Sequence, residues 1–356
     1  MNFSAKLTAL THADASPIAA PLRRSYDRAD ERAGEIVPFP RAPAPRGLDQ
    51  VQVGVISNPR SRRNRQGNPV HRRGGATADM LVCEPATKDE LTAALTDFKA
   101  RGVGLIVVDG GDGTVRDVLS AAMPVFGATL PPIAVIPSGK TNALALDLGI
   151  PWDWSAGAAR TSLSNGRFTT RAPVEITGAD GVTLSGFLFG TGAFVRATDL
   201  AQRTHNVGAF GGIAVGLSLL LAITQTMFAG ANNAWRAGDR IGITDLGDGT
   251  AAEHDLYLLF GSTLRRLPIG LRPLGGEAIG LNILAVEAPP RLLPLAVPAI
   301  LAGREGGWLA RAGYHHRHDA RPARLHLPGG FVLDGERYAP GSYEVRAGAP
   351  ITFVTP

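Results

Sequence analysis

The segment Val108–Thr114 has the residue types of a phosphate-binding loop. An apolar run leads into the sequence Asp-Gly-Gly-Asp-Gly-Thr, and a helical pattern follows at once. Glycines let a ligand approach the backbone because no Cβ stands in the way, and the N–H groups at a helix start bind phosphate oxygens. Asp112 is a candidate for holding a phosphate-bound Mg²⁺ or for ordering the loop, and Thr114 is a candidate N-cap. The residues predicted to contact phosphate are Gly110, Gly111, Asp112, Gly113 and Thr114.

The tetrapeptide Gly-Asp-Gly-Thr occurs twice, at 111–114 and at 247–250. The second copy lies between two strand-like segments and has no helical pattern after it, so a hairpin turn accounts for it. The first copy has the order strand, loop, helix, which favours phosphate binding. A tight turn before a capped helix is the alternative for the first copy.

A second glycine-containing loop, Pro137–Asn142, also lies between an apolar run and a helical pattern. Its Gly-Lys-Thr sequence suggests a Walker A motif, but that motif needs a glycine five residues before Gly139, and the sequence has Ala134 there. Lys140 is one of only four lysines in the chain. An ammonium group at a helix start suits a phosphate, and a solvated loop lysine is the alternative.

Alternating strands and helices are predicted to position the two loops. Apolar runs predict strands at Val51–Ser57, Met80–Cys83, Val103–Val108 and Ile133–Ile136. Helical patterns lie between and after them, at Lys88–Arg101, Thr114–Met123 and Asn142–Leu148. This alternation predicts an α/β nucleotide-binding domain with a mostly parallel sheet covered on both faces. Ligands of such sheets bind beyond the carboxyl ends of the strands.

After about residue 167 the pattern changes to short strand-like segments separated by Asp-Gly turns. These turns are Asp180-Gly181, Asp248-Gly249 and Asp334-Gly335. We therefore predict a disordered tail rich in Pro and Arg at 1–47, the α/β domain at 48–166 and a second, β-rich sandwich domain at 167–356. A last segment that returns to the α/β domain is an alternative to this division.

The composition limits the class of protein. The single cysteine, Cys83, excludes an internal disulfide framework and a zinc site built from thiolates, and it is predicted to be a buried core thiol. The N-terminal residues have no sustained apolar run and do not form a signal peptide. A net charge of +5 indicates an anionic partner, although a bias toward arginine codons is an alternative explanation.

The segment 206–235 contains no charged residue, and Val207–Ile223 is almost wholly apolar. A membrane-spanning helix needs about 20 predominantly apolar residues, and the four glycines in this run weaken that interpretation. A buried helix and a helix lining a lipid-facing cleft are the other two interpretations. The arginine-rich stretch Arg60–Arg73 is predicted to be a mobile loop.

Together these motifs resemble the catalytic domain of diacylglycerol and sphingosine kinases, over about residues 50–356. The resemblance rests on Gly110–Thr114 followed by Asp117, on Pro137–Asn142 followed by Leu148-Gly149-Ile150, and on Ser57–Ser61. Near the C-terminus, Asp334-Gly335-Glu336 is similar to the Asp-Gly-Glu motif of the family.

The resemblance implies an ATP-dependent lipid kinase with ATP and substrate in a cleft between an α/β domain and a β-sandwich. Asp334 would be the general base for a lipid hydroxyl, Asp112 a second catalytic residue, and Glu336 would help to hold Mg²⁺. The acceptor would be diacylglycerol, or ceramide or another sphingoid lipid. The enzyme would be cytoplasmic and associated with an anionic membrane surface. It would have no nucleic-acid partner, and both a monomer and a homodimer are compatible with the sequence. The residues implied to bind ATP are Asn58, Thr87, Gly111, Asp112, Gly113 and Thr114. The two glycine loops add the candidates Gly110, Ser138, Gly139, Lys140, Thr141 and Asn142.

The sequence departs from the family pattern at four positions. The family usually has Thr, Asp, Gly and Asp where this chain has Lys140, Ala143, Arg62 and Ile279 respectively. Lys140 implies a nucleotide-binding geometry that differs from that of the family. Ile279 implies that the structural metal site of the family lacks one of its carboxylates here.

Two other functions stay open on the sequence alone. An NAD kinase-like enzyme shares Gly-Gly-Asp-Gly-Thr, but the uncharged segment 206–235 and the sequence Asn58-Pro59 argue against it. A non-catalytic regulator that binds lipid or nucleotide is supported only by the four departures. Turnover of ATP with lipid acceptors distinguishes these functions from the lipid kinase.

Overall fold

The computed structural model describes residues 51–66, 79–205, 237–275 and 280–356. The predicted tail at 1–47, the uncharged segment 206–235, part of Arg60–Arg73 and the departure at Ile279 lie outside these ranges. Within the described ranges, no helix combines the length and the apolar character needed to cross a membrane.

The first part of the chain alternates between strands and helices, as the sequence predicts. The strands are β1 (Val53–Ser57), β2 (Leu81–Cys83), β3 (Leu105–Gly110), β4 (Ile133–Pro137) and β5 (Phe168–Arg171). The helices are α1 (Lys88–Ala100), α2 (Asp112–Phe126), α3 (Ala143–Asp147) and α4 (Ala156–Ser164).

The remaining described residues form mainly strands. These are β6 (Val174–Thr177), β7 (Thr183–Gly186), β8 (Leu188–Gly192), β9 (Asp239–Asp245), β10 (Ala251–Ser262), β11 (Asn282–Glu287), β12 (Tyr314–Arg317), β13 (Ala323–Leu327), β14 (Phe331–Leu333), β15 (Glu336–Tyr338), β16 (Gly341–Ala347) and β17 (Ile351–Val354). Three helices accompany them, α5 (Ala193–His205), α6 (Leu293–Leu301) and α7 (Gly307–Arg311).

The first sheet has the strand order β2-β1-β3-β4-β17-β5. Strands β1 to β4 are parallel, and β17 lies parallel to β4 and antiparallel to β5. The predicted mostly parallel sheet is therefore confirmed. Because β3 and β4 are neighbours with Gly110 opposite Pro137, the two glycine loops leave the sheet side by side.

The core of this α/β region forms where the helices cover the sheet. The residues Leu91, Leu95 and Phe98 share one face of α1 and are buried. Helix α1 packs directly on β1, because a Cβ at Gly54 would lie 2.5 Å from the Phe98 ring. The apolar face of α2 is buried as well, and its members are Val115, Val118, Leu119 and Ala122.

The second sheet contains eleven of the described strands, and all of their pairings are antiparallel. This confirms the β-rich region that the sequence predicts. The three Asp-Gly dipeptides link the hairpins β6–β7, β9–β10 and β14–β15, as expected. Each glycine of these dipeptides has a positive φ, between 73° and 82°, which a residue with a Cβ adopts at a cost.

A two-stranded ribbon connects the two sheets. Strand β5 continues into β6 through residues 172–173, and β16 continues into β17 through residues 348–350. Since β6 pairs with β16 and β5 pairs with β17, the two connections run alongside each other. The Gly348 N–H donates to the Pro173 carbonyl at 2.8 Å and bridges them.

Three local predictions were wrong. Helix α2 begins at Asp112 rather than at Thr114. The adjacent histidines at 315–318 have poor spacing for a shared metal ion, and their pattern favours a surface turn. In the structure Tyr314–Arg317 is instead strand β12, and His315 is buried against Glu287. Cys83 is only partly buried, since it lies at the end of the short edge strand β2.

Candidate active site

The two glycine loops pack against each other through their backbones. A Cβ at Gly139 would lie 2.4 Å from Gly111 Cα, and one at Gly111 would lie 2.9 Å from Gly139 Cα. Side-chain atoms do not approach a backbone this closely, so both positions require glycine. The Ser138 N–H donates to the Gly110 carbonyl at 3.0 Å, and the Ser138 hydroxyl donates to the Asp109 carboxylate. The loops therefore form one surface at the carboxyl ends of β3 and β4.

The first loop is held by a hydrogen bond that the sequence did not predict. The N-cap of α2 is Gly111, in extended conformation and without a side-chain bond, so the prediction that Thr114 caps the helix was wrong. Thr114 lies in the first turn, and its Oγ1 accepts a hydrogen bond from Asn58 Nδ2 at 2.9 Å. The end of β1 is thereby fixed to the loop, because the Asn58 N–H also donates to the Asp109 carbonyl at 2.9 Å.

Asp112 connects the first loop to the helix after the second. Its Oδ1 accepts a hydrogen bond from the Leu144 N–H at 3.3 Å, at the start of α3. Burial raises the pKa of Asp112, and backbone N–H groups of residues 142–144 oppose that rise. Free N–H groups at a helix start favour a carboxylate. Of the two roles considered for Asp112, the structure shows the ordering of the loops, and the contact with Mg²⁺ stays a prediction.

The second loop is shaped by Asn142. This residue is buried and has a left-handed backbone with φ 51°, a conformation that asparagine tolerates better than most residues. Its Oδ1 accepts from the Gly139 N–H at 2.9 Å, which closes the loop on itself. Thr141 is half-buried and Lys140 is exposed. The lysine is therefore accessible to an anionic ligand above the loops.

Thr87 has a structural role in the described geometry. It is the N-cap of α1, and its side chain accepts from the Glu90 N–H at 3.2 Å. The Glu90 carboxylate in turn accepts from the Ala86 N–H at 2.7 Å, a reciprocal arrangement typical of helix starts. The nucleotide contact implied for Thr87 stays a prediction.

Asp334 lies in the turn of the β14–β15 hairpin and has a left-handed backbone with φ 47°. Its carboxylate accepts from the Leu188 N–H at 2.9 Å and from the Phe187 N–H at 3.1 Å. Gly186 makes room for it, since a Cβ there would lie 2.4 Å from Asp334 Oδ2. These contacts fix the carboxylate firmly at the start of β8.

The electrostatics of Asp334 link it to the glycine loop. Burial, and after it the negative charge of Asp112, raises the pKa of Asp334 to about 7. The two backbone N–H groups and the Arg116 guanidinium oppose the rise. Carboxylates influence each other in this way only when they are close together. In the geometry, the guanidinium of Arg116, on the helix that begins at Asp112, donates to the carbonyl of Leu333, the residue before Asp334. The shared cleft of Asp112 and Asp334 stays a prediction.

Arg116 is a residue of this cleft that sequence reasoning missed. It lies on α2 with its side chain only 7% exposed, and its guanidinium donates to the Leu333 carbonyl at 3.2 Å and to Asp117 at 2.7 Å. It therefore ties the helix of the glycine loop to the residue before Asp334. The sequence feature that could have indicated it is that Arg116 is the one basic residue of α2.

Glu336 follows in β15 and is exposed, with an oxygen 3.8 Å from the Arg116 guanidinium. Among the described residues, no group of three or more His, Cys, Asp or Glu side chains forms a ready cage for a metal ion. Carboxylates from helix α2, Asp112 and Asp117, and from the β14–β15 hairpin, Asp334 and Glu336, nevertheless lie on the elements that Arg116 joins. Mg²⁺ is usually held by one or two carboxylates together with substrate phosphates, and the residues present fit that arrangement.

A comparison with protein families identifies the α/β region. Residues 52–171 match the family model of the diacylglycerol kinase catalytic domain. The matched range contains β1 to β5 and both glycine loops. The resemblance drawn from the sequence motifs is therefore confirmed.

Individual relatives agree with this family. The probable lipid kinase YegS of Escherichia fergusonii and that of Shigella flexneri are each 30% identical to the chain over 64 residues, or 18% of it. The aligned part spans only 21% of each relative. A crystal structure of a diacylglycerol kinase from Bacillus anthracis str. Sterne is 19% identical with a TM-score of 0.58, over 86% of this chain and 97% of that one. At this identity the structure supports the fold alone.

Proposed function

We propose that this chain, whose residues 52–171 belong to the diacylglycerol kinase catalytic-domain family, is a lipid kinase that transfers the γ-phosphate of ATP to a lipid hydroxyl. The observation that carries the proposal is the position of Asp334. A turn of the β-rich sheet holds this carboxylate against β8, and the residue before it, Leu333, accepts a hydrogen bond from Arg116 of α2, the helix that the glycine loop begins. This contact supports the proposal that the phosphate-binding loop and the candidate base share one cleft.

The nucleotide side of the cleft supplies N–H groups and positive charge. The joined glycine loops leave backbone N–H groups at the starts of α2 and α3, and Lys140 is exposed beside them. Phosphoryl transfer depends mainly on positioning and on neutralising phosphate charge. Mg²⁺, when bound with ATP, supplies part of that neutralisation, and Asp112 and Glu336 are the residues proposed to hold it.

The acceptor side requires a group that removes the proton of the hydroxyl. Asp334 is proposed to accept this proton while the hydroxyl oxygen bonds to the γ-phosphorus and ADP leaves. A carboxylate whose pKa is raised to about 7 is a stronger base than an ordinary aspartate, and it is matched to neutral pH. The two N–H groups on Asp334 keep it in place without neutralising its charge.

The acceptor class and the location of the enzyme follow from the same family resemblance. We propose diacylglycerol, or ceramide or another sphingoid lipid, as the acceptor. The proposed location is the cytoplasm, at the surface of an anionic membrane. Long-chain lipids reside in bilayers or micelles, so the proposed enzyme meets its natural acceptor at such a surface.

The test of this function is the substitution Asp334→Asn. It keeps the size of the side chain and removes the base, so lipid phosphorylation should fall by roughly 10²–10⁴-fold while ATP binding is retained. Phosphorylation of a lipid panel containing diacylglycerol and ceramide, with ATP binding measured by calorimetry, would check this expectation.

The matched control is Asp180→Asn, which changes the aspartate of another Asp-Gly hairpin. It should leave the rate unchanged. If Asp334→Asn retains full lipid kinase activity, Asp334 is only a turn residue, and Glu336, Asp117 or Asp109 must be tested as the base. If the wild type phosphorylates NAD and no lipid, the lipid kinase proposal is wrong.

A further inference from the structure

Helix α6 presents an apolar face to solvent. From Ala288 to Gly303 the sequence contains one charged residue, Arg291. The buried side of α6 packs Ala296 and Ile300 into a core, whereas the other side is exposed. We call this exposed set the α6 face, and it consists of Pro289, Leu292, Pro294, Leu295 and Pro298.

The exposure of the α6 face is high for its residue types. Leu295 is 65% exposed, the largest value among the exposed large hydrophobic residues of the described chain, and Leu292 is 55% exposed. Trp308 on the neighbouring helix α7 is 39% exposed, while Leu309 beside it is buried in the same core as α6. Contiguous exposed apolar residues of this kind mark an interaction site.

The charges around the α6 face point to the chemistry of its partner. Arg291, Arg304 and Arg311 flank it and are exposed. The two acidic residues that border the segment are each bonded to a histidine, Glu287 to His315 at 3.1 Å and Glu305 to His318 at 3.0 Å. The carboxylates keep their charge, but the three arginines outnumber the two acidic residues around the apolar centre. This balance favours an anionic bilayer surface, where phosphates pair with the arginines and acyl chains accept the leucines.

The backbone at Leu292 gives an independent indication. Among the described residues, four other than glycine have a positive φ. Three are Asn or Asp, which tolerate this conformation, and the fourth is Leu292 with φ 50°. An unfavourable conformation persists only where the surrounding structure over-determines it, and such residues cluster at functional sites. An asparagine would fit both this backbone and water better than the exposed leucine does.

The core beneath the α6 face extends toward the candidate base. It includes Tyr257, Phe260 and Leu284 of the second sheet, and Leu188 of β8 packs against it. The Leu188 N–H is one of the donors that hold Asp334. The α6 face and the base are thus built on the same packed unit, so docking through this face would hold the unit at the bilayer surface.

We propose that the α6 face is the surface by which the protein docks on an anionic bilayer. The proposal rests on the proposed lipid kinase function and names the membrane-facing side of the β-rich region. Trp308 and the flanking arginines lie at the headgroup level, where tryptophan and arginine side chains are favoured. Leu292 and Leu295 enter the acyl region.

The test is co-sedimentation of the full chain with phosphatidylcholine vesicles, with and without phosphatidylserine. Leu295→Glu should weaken binding to the anionic vesicles by about tenfold or more, because it replaces a leucine that is proposed to enter the acyl region by a charge that the anionic surface repels. Arg304→Gln should weaken binding about fivefold at low salt and less at high salt. Val182→Glu, at an exposed apolar residue of the β6–β7 turn, is the matched control and should bind like the wild type.

Leu292→Asn separates docking from folding. It relieves the left-handed leucine, so its melting temperature should equal or exceed that of the wild type while vesicle binding falls. Turnover of a water-soluble, short-chain diacylglycerol should stay unchanged in both leucine variants. In Asp334→Asn the opposite is expected, with no turnover and normal vesicle binding, so that failure of the docking proposal and failure of the kinase proposal look different.

Two results would overturn the proposal. One is binding of Leu295→Glu to anionic vesicles as tight as that of Val182→Glu. The other is a wild-type dimer that Leu295→Glu converts to a monomer in analytical ultracentrifugation without any change in vesicle binding. The latter result would assign the α6 face to a second copy of the chain.

Discussion

The tetrapeptide Gly-Asp-Gly-Thr adopts two structures in this molecule. At 111–114 it follows the buried strand β3 and begins helix α2, whereas at 247–250 it turns β9 back into β10. In the turn, Asp248 Oδ1 accepts from the Thr250 N–H at 2.9 Å, and Gly249 has a φ of 73°. In the helix start, the aspartate instead accepts from Leu144 N–H, 32 residues away.

The two aspartates consequently differ in their electrostatics. Burial raises the pKa of Asp112, while hydrogen bonds from Thr250 lower the pKa of the exposed Asp248. Four identical residues give a local, solvated turn in one place and a junction between two loops in the other. The chemistry that the motif can perform therefore depends on the groups that the fold brings to it. The substitutions within the motif that follow each have a counterpart in the other copy.

The largest difference is expected for the aspartates. Asp112→Asn keeps the shape of the loop and removes a charge that orders α3 and is proposed to hold Mg²⁺, so the rate of lipid phosphorylation should fall by about 10²-fold or more. Asp248→Asn should leave that rate unchanged. Steady-state kinetics of both folded variants would check this contrast, and equal rates for the two would show that the first copy is no more than a turn.

The second-largest effect is expected for Lys140. Its loop packs against Gly111, in the copy of the tetrapeptide at 111–114. Lys140→Ala should raise the KM for ATP by roughly 10–100-fold, since a charge-assisted bond to phosphate contributes about 1.5–3 kcal/mol. The KM for lipid should change less. Lys99→Ala is the control, because Lys99 is bonded to the Val125 carbonyl at the far end of α1. An unchanged KM for ATP would make Lys140 a solvated loop residue.

A smaller effect is expected for the glycines. In Gly111→Ala the new Cβ meets the Gly139 backbone, so the loops must separate and the variant should lose about 1–3 kcal/mol of stability together with activity. Gly249→Ala strains a left-handed turn and should cost about 1–2 kcal/mol with normal activity. Urea unfolding combined with kinase assays would test the pair. Comparable activity in both would mean that the loops tolerate separation.

The smallest effect is expected for the threonines. Thr114→Val removes the acceptor of the Asn58 side chain and should reduce the free energy of unfolding by about 0.5–1.5 kcal/mol. Thr250→Val lies in the exposed turn and should change it by less than about 0.5 kcal/mol. Chemical denaturation measures both. A larger loss of unfolding free energy in Thr250→Val than in Thr114→Val would contradict this prediction.

Most of the first sheet was predictable because its strands are uninterrupted apolar runs. Strand β3 is buried at every position, which is the pattern that a parallel sheet covered on both faces produces. The start of α2 was not predictable from composition, because Thr114 has the residue type of an N-cap but bonds to Asn58 from another strand. Strand β12 escaped prediction because its histidines have no apolar periodicity, while their partner Glu287 lies on β11.

The candidate site was predictable in its residue types and less so in its geometry. The Asp-Gly turn at 334 suggested two roles, a hairpin residue or a base. The structure shows the hairpin and a bond from Arg116 of α2 to the preceding residue, and the role of base stays a prediction. Nothing in the sequence near Arg116 indicates its bond to the Leu333 carbonyl, 217 positions away. Contacts of this kind depend on how the two sheets meet, which local patterns do not encode.

The position of β17 has a consequence for synthesis on the ribosome. The first sheet needs residues 351–354 between β4 and β5, so this sheet stays incomplete while the whole β-rich region is being translated. Until then β4 and β5 lack their shared neighbour, and an unpaired strand edge invites association with other chains. Long-range closure of this type also slows folding. Nascent chains stopped before residue 351 should therefore depend on chaperones more than the finished protein does.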